Sequence, residues 1–441
     1  MRAMNRVASF VVLTAGLIVA SCSTTAAAPD AGATTDAGTS VDLRIDTYNL
    51  GLAGSFVPNE SARRTALLSA FGSLDTDVMC VQEAWYKADK DSLVAAAKVK
   101  LPYAVQFETN LDTPVTDNKD ANGATPPDYT AAPCVDTQAT DLTAGLDCLK
   151  SKCSTVPDSD DGKTTSTECA KASCALSALR LLGATDKRCY GCLAATLPTS
   201  TFKEIREECT TNKHGGVFGN GQNGIVLLSR YPLSNAEQLV LPSTWNRRIV
   251  AKATTALPNG ADVDLYCTHL TAYFSDTTFF PYTGQYGAGD TNGWIAEQAL
   301  EATQLAAWVT AKSSGRRAIV MGDLNATPED KANGIGDGTV PAYGAKTLAA
   351  LSSLKEAVNA SYVPSCTFCV SNANTDGDQN SWIDHIFLSS FQADATLSAN
   401  RTFDTDAVDG MRRDDTGKHT VAGKVPLSDH YGMHAVVRVT R

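Results

Sequence analysis

Asp323 and Asn325 stand two residues apart in the stretch RRAIVMGDLNATPED, residues 316–330. Ala318 to Met321 form an apolar run of the kind that makes a buried strand. Residues i and i+2 of an extended chain point to the same side, so a carboxylate and an amide are offered to one spot where the run ends. A plain turn would also use Asp, Asn and Gly. Other strand-like runs end in the same manner: Asn49 after VDLRIDTY, Glu83 after DVMCVQ, His269 after DVDLYCT, and Asp429 with His430 just before GMHAVVRV. Asp384 and His385 lie within a further run, SWIDHIFLS. One such ending is a turn; repeated endings in a body of this size predict strand ends that converge on a site.

These residue types suit one chemistry. Glu83 and Asp429 are hard oxygen ligands for Mg²⁺, with Mn²⁺ as an alternative, and Asn49 can supply a further oxygen or orient a ligand. His269, His430 and an aspartate remain for proton transfer and phosphate contact. The chain has no HExxH, no paired CxxC units, no P-loop and no GxSxG. Metal-assisted attack on phosphorus is the reaction this inventory serves best. His385 faces opposite to Asp384 on its strand and reads as structural. His434 reads as a packing residue, and His214 as a solvated histidine in a glycine-rich loop.

The elements that must hold these groups alternate between strand and helix. Asn59 is placed to cap a helix reaching about Phe71, and an apolar stripe from Ile295 to Val309 predicts a second helix over about 292–311. Residues 110–213 break the pattern. They carry eight of the thirteen cysteines, Cys134, Cys148, Cys153, Cys169, Cys174, Cys189, Cys192 and Cys209, among helix-like segments. A dense, even set predicts four disulfides in a stapled helical insertion; a zinc site is the rival, disfavoured by the lack of intervening histidines. Cys366 and Cys369 suit a local bridge, whereas Cys80 and Cys267 sit in strand-like runs and read as buried thiols. The body, 41–441 less the insertion, has the size of a single α/β domain.

The N-terminus has its own character. Arg2 and Arg6 precede an apolar run too short to span a bilayer, which suits a signal peptide over 1–21. Residues 22–40 are small, polar and aperiodic, as a flexible tether is. The 441-residue chain has 37 basic and 48 acidic residues, a net charge of −11, which argues against a broad basic surface for nucleic acid.

Two resemblances add to this reading. Val19–Ala20–Ser21–Cys22 resembles a bacterial lipobox, which implies cleavage before Cys22, lipidation of its thiol, and an exported protein at the outer membrane or cell surface of a bacterium. The ordered set Asn49, VQE (81–83), GIVLLSRYPL (224–233), THL (268–270), GDLN (322–325), IDHIF (383–387) and SDH (428–430) resembles the endonuclease/exonuclease/phosphatase superfamily. That resemblance implies an α/β fold of two packed mixed β-sheets flanked by helices, a four-layer sandwich. It implies that Glu83, beside Asn49, and Asp429 serve the metal. It also implies that Asp323 and Asn325 handle the attacking water and phosphate, that His269 donates to a phosphate oxygen, and that Asp384 orients His430. Whether Asp323 or His430 is the base stays open. DLYCTHLTAYF and AEQALEATQLAAW look closer to neutral sphingomyelinases than to nucleases. The expected substrate is therefore a phospholipid phosphodiester such as sphingomyelin, met through the lipid-anchored membrane. The alternatives are a secreted DNase I-like endonuclease acting on nucleic acid, and an inactive domain used for adhesion. No protein partner is inferred. Phe279 to Tyr282 read either as an apolar edge toward a membrane or as a packed loop core.

Overall fold

The computed structural model describes residues 39–120, 122–124, 131–212, 215–274, 280–287, 290–336, 342–375, 379–413 and 419–441. The expected leader, Cys22, all but the end of the tether, His214 and Phe279 lie outside the described residues.

Two six-stranded mixed sheets form the body. The first has the order β11 (Thr396–Thr402), β14 (Gly432–Thr440), β1 (Ser40–Asn49), β2 (Val78–Gln82), β4 (Val226–Ser229), β3 (Tyr103–Val105). The second runs β5 (Leu233–Val240), β6 (Ile249–Ala256), β7 (Asp262–His269), β8 (Ala318–Asp323), β10 (Asp384–Ser389), β9 (Lys355–Glu356). Each sheet is antiparallel except for one central parallel pair, β1–β2 and β7–β8. Parallel neighbours need a crossover, and a helix supplies each: α1 (Glu60–Phe71) and α7 (Asp290–Ser313). α1 and α2 (Lys87–Ala97) cover the outer face of the first sheet, packing Leu67, Phe71 and Leu93 with Tyr48 and Val81. α7 and α8 (Ala342–Ala350) cover the second, with Leu305 and Val309 near Tyr266 and Val320. The four-layer sandwich is the expected one.

Alternation along the strands sets the chemistry. Leu43 and Ile45 of β1, Val78 and Cys80 of β2, Leu265 and Cys267 of β7, Ile319 and Met321 of β8, and Ile386 and Leu388 of β10 share the core between the sheets. Continuing the same two-residue period brings Asn49, His269, Asp323 and Asp384 onto this inward side at one end of the sandwich. The register agrees: Asp323 lies opposite Asp384 on one flank and His269 on the other. The face that packs apolar in the middle turns polar at its rim.

Cys80 and Cys267 are not free thiols. They form a disulfide, S–S 2.07 Å and Cα–Cα 5.3 Å, that joins β2 of one sheet to β7 of the other. Each run taken alone shows only an inward-facing cysteine; the stacking of the sheets puts the two sulfurs together. The Asn59 expectation also changes. Asn59 is the residue before α1, but its backbone is left-handed (φ 61°) and its side chain makes no cap bond. Instead it accepts from the Met411 N–H at 2.7 Å and donates to Asn374 at 3.0 Å. It thereby ties α1 to a hairpin of β12 (Val408–Arg413) and β13 (His419–Val425), which the sequence did not suggest.

The cysteine-rich region folds as α3 (Asp136–Lys152), α4 (Thr167–Leu182), α5 (Arg188–Thr196) and α6 (Phe202–Thr211). Its eight cysteines pair among themselves, as Cys134–Cys189, Cys148–Cys174, Cys153–Cys169 and Cys192–Cys209. Cys366–Cys369 closes a local loop. Six bridges fit a chain that folds in an oxidising compartment. Phe280 and Tyr282 do not form a free edge. Phe280 packs on Trp245 at 5.7 Å and Phe274 at 4.8 Å, and the buried Tyr282 donates to Glu297 at 3.0 Å.

Glu208 of α6 is buried with one side-chain donor, the Ser200 hydroxyl, and burial pushes its carboxyl up to about 8. Unfolded, a glutamate ionises near 4.3. Between those values only the unfolded form sheds the proton, so this group costs stability as pH rises and the penalty is complete above about 8. Glu208→Gln is expected to stabilise the protein at pH 8 by on the order of 1–3 kcal/mol and to do little at pH 4.5. Denaturant melts at the two pH values measure this; an equal effect at both would contradict it.

Candidate active site

Asn49 sits between two carboxylates. Its amide nitrogen donates to Asp323 Oδ2 at 2.9 Å and to Glu83 Oε1 at 3.2 Å, while its oxygen accepts from the Gly51 N–H at 2.9 Å. That bond orients Asn49 and leaves its oxygen a second lone pair. Gly51 is left-handed (φ 57°), and a Cβ on it would meet Asp429 Oδ1 at 2.3 Å. Only glycine lets the turn after β1 approach Asp429. The buried Arg63 of α1 fastens both sides of this approach, donating to the Leu50, Gly51 and Leu427 carbonyls.

Asp323 is the hub. Its Oδ1 accepts from the Asn325 N–H at 2.8 Å, and its Oδ2 lies 3.3 Å from His269 Nε2 and 3.9 Å from His430 Nε2. Burial opposes its ionisation, but His269, His430 and the Asn49 bond more than offset this and hold it well below the usual carboxylate range. Asn325, left-handed at φ 49°, turns back to place its amide nitrogen 3.0 Å from His269 Nε2 and the Leu270 carbonyl. Gly322 permits the close packing of β8 on β7, since a Cβ there would lie 2.1 Å from the Thr268 carbonyl oxygen.

The two histidines differ in charge. Burial and the nearby Arg248 guanidinium push His269 down to about 4, so it is neutral at pH 7, and its Nδ1 has no hydrogen-bond partner among the described residues. Burial would lower His430 too, but Asp384, bonded to its Nδ1 at 2.9 Å, and Asp323 hold it well above its ordinary value. His430 is therefore an imidazolium between two aspartates. His385 points the other way, to Glu356 at 3.0 Å and the Ala326 carbonyl at 2.9 Å. His434 is hydrogen-bonded to Asp46 at 2.6 Å, so it makes a polar contact as well as packing.

The chain matches the Endonuclease/Exonuclease/phosphatase family over residues 47–430. It belongs to that family. No curated protein sequence matches it. Among solved structures, sphingomyelinase C from Streptomyces griseocarneus is 17% identical with a TM-score of 0.48, covering 90% of this chain and 99% of that one. SmcL is 12% identical with a TM-score of 0.48 over 90% and 99%. A beta toxin variant from Staphylococcus aureus, solved with bound magnesium ions, is 14% identical with a TM-score of 0.45 over 90% and 100%. Likenesses this distant assign no residue roles.

Two places in this family member suit a cation. Glu83 is left-handed (φ 59°), and burial together with the Asp429 charge pushes it up to about 7. A buried carboxylate beside a second one is a donor set that a hard divalent ion relieves. Asp323, Asp384 and His430 also bring one ligand atom each within 4.8 Å of one another. There the Asp384–His430 bond at 2.9 Å occupies Nδ1 and leaves Nε2 to face Asp323.

Several contributors escaped the sequence reading. Arg248 is buried, with its Nε and Nη1 unpartnered among the described residues and its guanidinium 5.9 Å from the Trp85 ring. The signal was present in NRRIVAKATT, where arginine heads a strand that is otherwise buried. Gln298 of α7 donates to the Thr271 and Asn325 carbonyls, both at 2.8 Å, and so braces the two loops that follow His269 and Asp323. Glu301 accepts from the Thr271 N–H at 2.6 Å. In the sequence these residues marked a likeness; in the fold they hold the site from behind.

Proposed function

We propose that this protein is a metal-dependent phosphodiesterase acting on phospholipid head groups, sphingomyelin among them. One observation carries the reading: Asp323 Oδ2 stands 3.3 Å from His269 Nε2 and 3.9 Å from His430 Nε2, and Asn49 bridges it to Glu83. A divalent ion held by Glu83 and Asp429 would neutralise phosphate charge and act as a Lewis acid. Asp323, fixed by Asn49 and the Asn325 N–H, accepts the proton of the attacking water as its oxygen bonds to phosphorus. As the bond from phosphorus to the lipid alcohol breaks, the His430 imidazolium, kept charged by Asp384, gives its proton to the departing alcohol oxygen. His269, Asn325 and the unpartnered N–H groups of Arg248 supply contacts to the phosphate oxygens. An anchor at Cys22 and export to the cell surface belong to the same proposal.

A lipid substrate is favoured by the half-buried Phe56 near Glu83, which extends a buried aromatic pair, Trp85 and Phe218 at 4.9 Å, with Ala53 and Val57 packed behind. A net charge of −11 offers a DNA backbone no long-range attraction. Purified protein with Mg²⁺, offered mixed phospholipid vesicles and plasmid DNA, should release a phosphorylated head group and leave the plasmid intact. Excess chelator should abolish the release, and Mg²⁺ or Mn²⁺ should restore it. Rapid nicking with untouched lipid would make the protein a nuclease; full activity in chelator would remove the metal from the reading.

A further inference from the structure

The helical insertion encloses a cavity of about 300 Å³ that the catalytic reading leaves unused. Gly145 and Leu149 of α3, Ala178 and Leu182 of α4, and Leu193 and Leu197 at the end of α5 line it. Lys171 is the one charged residue in its lining, among the described residues. On the same helix Leu176 and Leu179 are 78% and 57% exposed, an apolar rim that α4 turns to solvent.

The lining limits what can enter. The walls are mostly helical, with α4 kinked at Cys174, and the side chains are almost all hydrocarbon. A peptide strand or a nucleobase would bring polar groups that lose their hydration and find few partners here; an alkyl chain brings none. An α-helix, about 10–12 Å across with its side chains, does not fit this volume. From these features we propose that the cavity binds the alkyl chain of a single lipid and seats its negatively charged head at Lys171. Phe56 and Phe280 complete the wall, and Phe56 also stacks toward Phe218 at 6.2 Å, so the cavity adjoins the aromatic row beside Glu83. Binding here does not depend on the proposed hydrolysis.

Octyl and decyl phosphate below their micellar concentrations are suitable probes, since neither is a diester. Calorimetry on the full protein should show one site. Each buried methylene tightens binding about fourfold, so decyl phosphate should bind at least tenfold tighter than octyl phosphate. Ala178→Trp, which fills the cavity, should weaken both at least tenfold, and Lys171→Glu should weaken both while preserving their ratio. Should Ala178→Trp fail to fold, Ala175→Leu fills the same space with a smaller change. Hydrolysis of bis(4-nitrophenyl) phosphate by the variants should stay within about twofold of the parent. Equal affinity for the two chain lengths, many molecules bound per protein, or undiminished binding to the filled cavity would overturn the proposal. A parent inactive on every phosphodiester would sink the catalytic reading and leave this binding result intact.

Discussion

Asp323→Ala is expected to lower kcat on any diester the protein hydrolyses by about 10²–10⁴, with the fold retained. The reason is positional. Asp323 receives hydrogen bonds from Asn49 and the Asn325 N–H and lies within reach of both histidines, so its removal leaves four groups without their common partner. His430→Ala should cost a similar factor, because the charge beside the phosphate and the bond to Asp384 vanish together. The double variant should be little worse than either single one, as residues that act as a unit are not additive. His434→Ala is the contrast: its Asp46 pair lies on the strand pairing of β1 with β14, away from the site, so stability should fall and turnover should not. Steady-state kinetics alongside circular dichroism decides the matter, and a larger turnover loss for His434→Ala than for His430→Ala would contradict the assignment.

The second large effect is on stability. Cys80 and Cys267 are 187 residues apart. Chain-entropy reasoning gives about 5 kcal/mol for closing a loop of that length, as an upper figure. The insertion's own bridges shorten the effective loop, but the dependence is logarithmic and the change small. Replacing both by Ala should therefore cost on the order of 3–5 kcal/mol, whereas removing Cys366–Cys369, with a separation of 3, should cost much less. Guanidinium unfolding of the oxidised proteins measures both. Equal midpoints for the parent and the Cys80/Cys267 variant would refute the bridge, as would two titratable thiols from these positions in the unfolded, unreduced parent.

What the sequence made legible follows from period and order. Asn49, His269, Asp323 and Asp384 could be found because each lies on an apolar run with a two-residue period that also sets the face; Glu83 and His430 were legible only as polar residues next to such runs, and the left-handed backbone at Glu83 sets its direction. The pairing of eight cysteines within the insertion was legible from their density. Contacts between distant runs were not. Nothing local to Cys80 announces Cys267, and nothing local to Asn59 announces Met411. Arg248 was hidden for a different reason: a guanidinium at the head of a buried strand looks like a surface charge until the sheets close over it. Gln298 and Glu301 read as helix formers because their partners, the loop carbonyls and N–H groups after β7 and β8, are backbone atoms that no sequence spells out.

β1 and β14 are neighbours in the middle of the first sheet, Ser40 opposite Thr440 and Thr47 opposite Met433. The earliest strand of the sandwich is thus completed by the one that leaves the ribosome last of the fourteen. Until that strand has been synthesised, β1 has an open edge and His430, just ahead of β14, has not taken its place beside Asp384. The proposed site is therefore assembled only when that strand is in place, which leaves a long interval in which the emerging chain can be handled as an unfolded thread.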